Sequence, residues 1–237
     1  MDILLDNPET DQLFQELLVR VRRLKNGEAA AQMKAMGVRY RVNWGASVVS
    51  LRELARQYDK SHLLALKLWN KQWRETMILA TLFEQPKFLS EEQMDYWTKS
   101  FETAEMAEQA VANLFVHSKF AFAKALEYCC GKKHWVRYSG ILLMGKLALA
   151  DKHAIDEMFG GFFEVIYPLM KDPALNAALY RSMVILGNRN ENLRHQCIEF
   201  LNTVLTKGDD QPKQLATILL DEFRDSTELD SENVEPK

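Results

Sequence analysis

Apolar residues recur at every third or fourth position through most of this chain, and almost nothing interrupts them. Stretches such as "HLLALKLWN" (62–70), "WRETMILATLF" (73–83) and "WVRYSGILLMG" (135–145) show the pattern, and glycine (10) and proline (6) are scarce among 237 residues. A period near 3.6 gathers these side chains into one stripe of an α-helix, whereas a strand needs alternation, and no long alternating run competes. The pattern predicts helices over 9–25, 28–36, 47–58, 61–70, 72–84, 90–99, 102–115, 118–130, 134–149, 152–170, 173–187, 191–206 and 211–223. The punctuation agrees: Pro8 and Pro173 sit at or just before helix starts, Ser90 in "LSEEQ" offers an N-cap, and Gly131, Gly187 and Gly208 fall where helices should end.

About a dozen helices joined by short loops predict an all-α fold, an α-solenoid of HEAT-like antiparallel helix pairs stacked in series. "WRETMILATLF", "WVRYSGILLMG" and "LYRSMVILGNR" (179–189) echo one another, each opening on a bulky residue near an arginine before an apolar run. A hydrophobic fraction of 47% suffices for a large core. The expected organisation is a single domain over 1–223, monomeric, followed by an acidic, disordered tail over 224–237.

No apolar run approaches the ~18–20 residues of a membrane span, and "MDILLDNPET" lacks the basic start and apolar stretch of a signal peptide, so a cytoplasmic location is expected. The three cysteines form no metal knuckle and read as reduced core residues. Five scattered histidines, no HExxH and no phosphate-binding glycine loop leave neither a metal nor a cofactor to expect. The paired glycines of "FGGFF" (159–163) read as a helix kink or a close helix contact. Trp69, Trp73, Trp97 and Trp135 occupy apolar helical positions and read as core.

Charge is uneven. The net charge is −3, but 221–237 holds seven acids against two bases, leaving the body mildly basic, and 17–44 holds seven bases against Glu28 alone. Such a segment suits either a solvated helix face or a polyanion contact. Trp44, after Arg39 and Arg41 in the "NWGAS" turn, could stack or wedge against nucleic acid or simply pack. In "FETAEMAEQAVANLF" (101–115), Glu102, Glu105 and Glu108 would share one helix arc of about 120°. That arrangement fits the wet side of a surface helix or a catalytic carboxylate.

"NWGASVVSLRELARQY" (43–58) followed by "HLLALKLWNKQWRETMILATLF" (62–83) resembles the signature of the AlkD-like DNA alkylation repair family: a glycine-led turn, an LRxLA helix, an LAxxLW helix and an ExxxLA helix from Glu75 to Ala80. The likeness extends through "MDYWTKSF", "EQAVANLF" and "HWVRYSGILLMG", over roughly 30–200. It implies a superhelix of HEAT-like repeats whose concave surface holds double-stranded DNA, and active members that excise alkylated, cationic purines. Such bases leave readily, so positioning, a carboxylate beside the developing sugar cation and aromatic faces over the lesion can do the chemistry.

Laid residue by residue, the family's tryptophan falls on Ala104 and its aspartate, four positions on, falls on Glu108. The family's arginine falls on Tyr138, beside Arg137, and a second tryptophan falls near Arg181. The resemblance therefore implies the scaffold and Glu108 as the candidate catalytic carboxylate, while most of the catalytic constellation is absent. Lys34, Arg39, Arg41, Lys132, Lys133, Arg137, Arg189 and Arg194, at predicted helix starts and loops, are expected to border the DNA face, with Trp44, Tyr138 and Arg181 in contact with it. Two functions stay open: a DNA-binding repair protein with weak or absent glycosylase activity, or a HEAT-like scaffold for a protein partner, which the acidic tail would suit.

Overall fold

The computed structural model describes residues 7–232, with side chains as far as Arg224. Among the described residues the fold is all helical, with thirteen α-helices and two short 3-10 turns. They are α1 (Pro8–Arg23), α2 (Gly27–Ala35), α3 (Val48–Ala55), α4 (His62–Asn70), α5 (Arg74–Phe83), α6 (Glu91–Lys99), α7 (Ala104–Asn113), α8 (Ala121–Cys129), α9 (His134–Ala150), α10 (Glu157–Leu169), α11 (Asn176–Gly187), α12 (Glu191–Lys207) and α13 (Asp210–Glu232). Each matches one helix expected from the apolar period. Among the helix starts the clearest difference is that of α10, five residues late: the Asp151 carboxylate accepts from the backbone N–H of His153 and Ala154, both at 3.0 Å, and holds that stretch as a turn.

Contacts divide the chain at Lys119/Phe120 into two compact units, a boundary inside the span that reads as one domain in the sequence. In the first unit, α4 packs along α5, and α3 and α7 also pack against α5. α5 buries nearly its whole surface, including the polar residues Arg74, Glu75, Thr76 and Thr81. Trp69 and Trp97 stack face to face at 4.0 Å in the core, as their apolar positions imply. The helix starts are capped: Asn7, Asn26, Ser47, Ser61, Ser90 and Thr103 each accept a hydrogen bond from a backbone N–H in the first turn of their helix. Gln72, in the left-handed region at φ 57°, turns the chain from α4 into α5, and its side chain donates back to the Trp69 carbonyl at 2.8 Å.

In the second unit α9 is central, packed on α8 and α11, while α12 and α13 pair and close on α11. Gly140 permits the α8 approach: a Cβ there would sit 2.5 Å from the backbone nitrogen of Cys129. In "FGGFF", Gly161 faces Leu126 of α8, where a Cβ would stand 3.3 Å away, so the close-contact reading holds there. Cys129 and Cys197 are buried, but Cys130 caps the end of α8 and is exposed, a correction to the expectation of three core thiols.

The acidic segment 224–237 was expected to be a disordered tail. α13 continues through Glu232, and neither glycine nor proline occurs between Phe223 and Glu232 to stop it. Residues 233–237 and every side chain after Arg224 lie outside the described residues. Among the described residues no helix is long and apolar enough to cross a membrane.

Candidate nucleic-acid interface

The three glutamates around the start of α7 meet different environments. Glu102 precedes the helix and is exposed. Glu105, in the first turn, takes the Arg74 guanidinium edge-on, with Nε to Oε2 at 2.7 Å and Nη2 to Oε1 at 2.6 Å, and accepts the Tyr40 hydroxyl at 2.8 Å. Glu108 is half-buried one turn on, on the same face as half-buried Ala104. Glu105, which sequence reasoning set below Glu108 together with Glu102, is thus tied to a buried arginine.

Arg74 is 1% exposed and links Glu105 to the rest of the first unit. Its Nη1 donates to the Ala46 carbonyl at 2.7 Å and to Glu75 at 3.1 Å. Glu75, fully buried, accepts from the backbone N–H of Trp44 (3.1 Å) and Ala46 (3.3 Å). Together these bonds fasten the "NWGAS" loop to the starts of α5 and α7. Burial disfavours charge on Glu105, yet its hydrogen bonds and charge contact with Arg74 hold its carboxyl below the usual range. Burial and the Glu105 charge push the Tyr40 phenol well above its ordinary value. The signal available in the sequence was an Arg-Glu pair opening an otherwise apolar helix.

Gly45 lets the loop approach α2, since its φ is +73° and a Cβ would stand 2.0 Å from the Asn26 carbonyl oxygen. Trp44, read as a possible wedge, is half-buried: its ring meets Trp73 edge-on at 5.7 Å, and the exposed Arg22 lies 5.9 Å from its centroid. Arg22 and Lys71 both cover Trp73, at 5.2 and 4.9 Å. Lys34 and Arg39 are brought together in a groove of about 520 Å³ whose wall includes Tyr40 and Asn43; Arg41 is exposed but does not line it.

In the second unit, the start of α9 gathers a second group. His134 and Trp135 meet at 4.5 Å and Trp135 and Tyr138 at 5.4 Å, both edge-on. Arg181 of α11, exposed, donates from Nη2 to the Tyr138 hydroxyl at 3.2 Å and from Nε to the Ala177 carbonyl at 3.3 Å. Trp135 is half-buried, not core, and Tyr138 is 6% exposed. Lys132 and Lys133 are exposed just before α9, whose first turn has no side-chain cap. Helix N–H groups and two ammonium groups here suit an anion.

Three other expected DNA contacts have different surroundings. Arg137 is ion-paired to Asp172 at 2.8 Å. Arg189 ties the α9–α10 turn down, donating to the carbonyls of Ala148 (2.8 Å) and Ala154 (2.7 Å) and lying 5.1 Å from the Phe159 ring centroid. Arg194 is half-buried and donates to the Asn188 side chain at 3.0 Å. Among the described residues, no three histidine, cysteine or acidic side chains stand close enough to hold a metal ion.

A family model described as "DNA alkylation repair enzyme" matches residues 17–174, more than half of the chain. A solved structure aligns with a TM-score of 0.71 at 14% identity, covering 81% of this chain and 83% of that one. That protein is described as belonging to a new family related to the HEAT-like repeat DNA glycosylases, with affinity for branched DNA structures. No curated protein matches the sequence. Matched over most of its helical body and folded as HEAT-like repeats, this chain belongs to the DNA alkylation repair enzyme family.

Proposed function

We propose that this protein binds double-stranded DNA that is damaged or branched, and that it excises 3-methyladenine or 7-methylguanine weakly or not at all. The observation that carries the reading is Arg181 anchored on Tyr138 beside Trp135 and His134. Hydrogen bonds to the Tyr138 hydroxyl and the Ala177 carbonyl orient its guanidinium, and the residue is exposed, which suits a phosphate contact at reduced entropic cost. Trp135, with Lys132 and Lys133 nearby, adds an aromatic surface and further charge for a strand. In the first unit, the groove of Lys34 and Arg39 offers a separate phosphate contact. The relative's affinity for branched DNA supports binding without requiring excision.

The catalytic part rests on α7. Ala104 supplies no aromatic wall beside Glu108, and α7 contains no aromatic residue. A carboxylate accelerates base release only when the lesion is held against it, and a misplacement of about 1 Å can cost on the order of a hundredfold.

The experiment pairs fluorescence anisotropy on a three-way junction and a linear duplex with single-turnover release of methylated bases. Binding that weakens steeply with salt, accompanied by slow release, is expected. Absence of binding to either DNA at low salt sinks the reading and favours the scaffold alternative, which the exposed Leu149, Ile155 and Met158 around the α9–α10 turn would suit. Rapid release abolished by Glu108→Gln would instead establish Glu108 as catalytic.

A further inference from the structure

The residues assigned so far in the first unit cluster near the start of α3. The other end of that helix carries a second cationic surface. Two grooves meet there and share Lys60. One, of about 270 Å³, is lined by Arg52, Arg56 and Lys60 with Leu82, Phe83 and Asn113 among its wall; the other, of about 690 Å³, is lined by Lys60, Lys87, His117 and Lys119 with Gln85 and Pro86. Five lysine and arginine side chains and one histidine thus follow one another along the edge formed by the α3–α4 loop, the α5–α6 loop and the segment after α7. No carboxylate lines either groove.

Two of the neighbouring acids lie off the groove walls. Glu84 is fully buried, where His62 (2.8 Å), Gln93 (2.7 Å) and the backbone N–H of Gln85 (2.8 Å) surround it. Asp59 precedes Lys60 but lines neither groove. Arg52 donates to the neutral side-chain amides of Gln109 (3.3 Å) and Asn113 (3.5 Å), which orient the guanidinium and leave its charge. Phe88, 51% exposed, stands beside the second groove with the Lys87 ammonium 4.7 Å from its ring centroid.

We infer that this track is a second phosphate-backbone site, through which the first unit holds another arm of a branched DNA molecule while Lys34 and Arg39 hold the first. The inference rests on the DNA-binding reading and names what makes a branched substrate fit. A small phosphorylated ligand would need donors converging on one point; here the cations run in series along two open grooves, which matches a polyanionic strand. The exposed Phe88 ring offers a face to an unstacked base at the branch point.

The test uses the full chain with Lys60→Gln/Lys87→Gln, both exposed, and a control of equal charge change, Lys152→Gln/Lys207→Gln. Anisotropy against salt is measured for a three-way junction and for a linear duplex, with thermal unfolding confirming that each variant is folded. The expected result is an approximately tenfold loss on the junction, a log–log salt slope shallower by roughly two, and little change on the linear duplex. An unchanged junction slope overturns the inference, as does an equal loss in the control. An equal loss on linear duplex also overturns it, because the track would then hold the main duplex. Wild-type protein that binds no DNA sinks the DNA-binding reading itself, a failure distinct from these.

Discussion

Replacing Arg74 by methionine tests whether the buried ion network holds the "NWGAS" loop of the first unit. The substitution keeps most of the aliphatic volume but removes four hydrogen bonds: two to Glu105, one to Glu75 and one to the Ala46 carbonyl. It also leaves Glu75, fully buried, as an anion with only the Trp44 and Ala46 N–H groups as donors. Removing one partner from a buried pair costs about 3–5 kcal/mol, mostly through the charge left behind. At ~2–4 °C per kcal/mol for a chain of this size, the melting temperature should fall by on the order of 10 °C. Urea unfolding followed by tryptophan fluorescence is the assay, since Trp44 and Trp73 adjoin the site. Neutralising the stranded acid in Arg74→Met/Glu75→Gln should recover a substantial part of the loss. The pH dependence supplies a further check. Because Glu105's folded-state carboxyl lies below its ordinary value of about 4.3, its stabilisation is present above that pH and is lost as pH falls through the lowered folded value. The gap between wild type and variant should therefore narrow in acid. A loss under about 1 kcal/mol at neutral pH, with no narrowing in acid, would refute the network's role.

Gly45→Ala should destabilise by at least about 2 kcal/mol in urea unfolding, since it adds a left-handed alanine to a clash with the Asn26 carbonyl. Arg181→Ala should flatten the salt dependence of DNA binding by about one unit while leaving the melting temperature nearly unchanged; an unaltered slope would remove Arg181 from the interface. Thiol titration of the native protein should find Cys130 reactive and the other two slow until unfolding, because burial pushes Cys129 and Cys197 each up to about 12. Rapid modification of all three would contradict the packing of α8 and α12.

The helices were legible because burial of one stripe per helix writes a 3.6-residue period into the sequence, and capping residues such as Ser90 mark where each period begins. Ends were harder: the turn made by Asp151 with the two backbone N–H groups ahead of it competes with one more helical turn, and periodicity cannot weigh that. The site was readable where a single residue type sufficed. Lys34 and Arg39 could be picked out by type and by position near the α2–α3 turn, and they line one groove. The sequence could not show where a side chain's surroundings depend on a distant partner. Glu105 finds Arg74 from 31 residues away and Arg181 finds Tyr138 across 43. Arg189 looked like a surface cation because its targets are backbone carbonyls, which no side-chain pattern reveals.

These pairings also bear on how the weak excision proposed above could be raised. Glu105 cannot serve as the missing carboxylate, because both its oxygens are held by Arg74 and Tyr40, and Glu102 lies outside the helix; Glu108 is the member of the three left to consider. It lacks an aromatic wall, and Ala104, half-buried one turn before it, is where an indole would have to stand. The residue-by-residue likeness also suggests Tyr138→Arg, but Tyr138 is 6% exposed and accepts the Arg181 hydrogen bond. An arginine there would place two guanidinium groups together in a poorly hydrated site, and Arg181 already supplies one beside that position. Ala104→Trp/Glu108→Asp with Tyr138 retained should therefore raise single-turnover release of 3-methyladenine, by about tenfold or more if the wall positions the base. Adding Tyr138→Arg should lower stability without further gain in rate. A triple variant that is both faster and as stable as the double variant would show that the Tyr138–Arg181 pair does not perform the arginine's task.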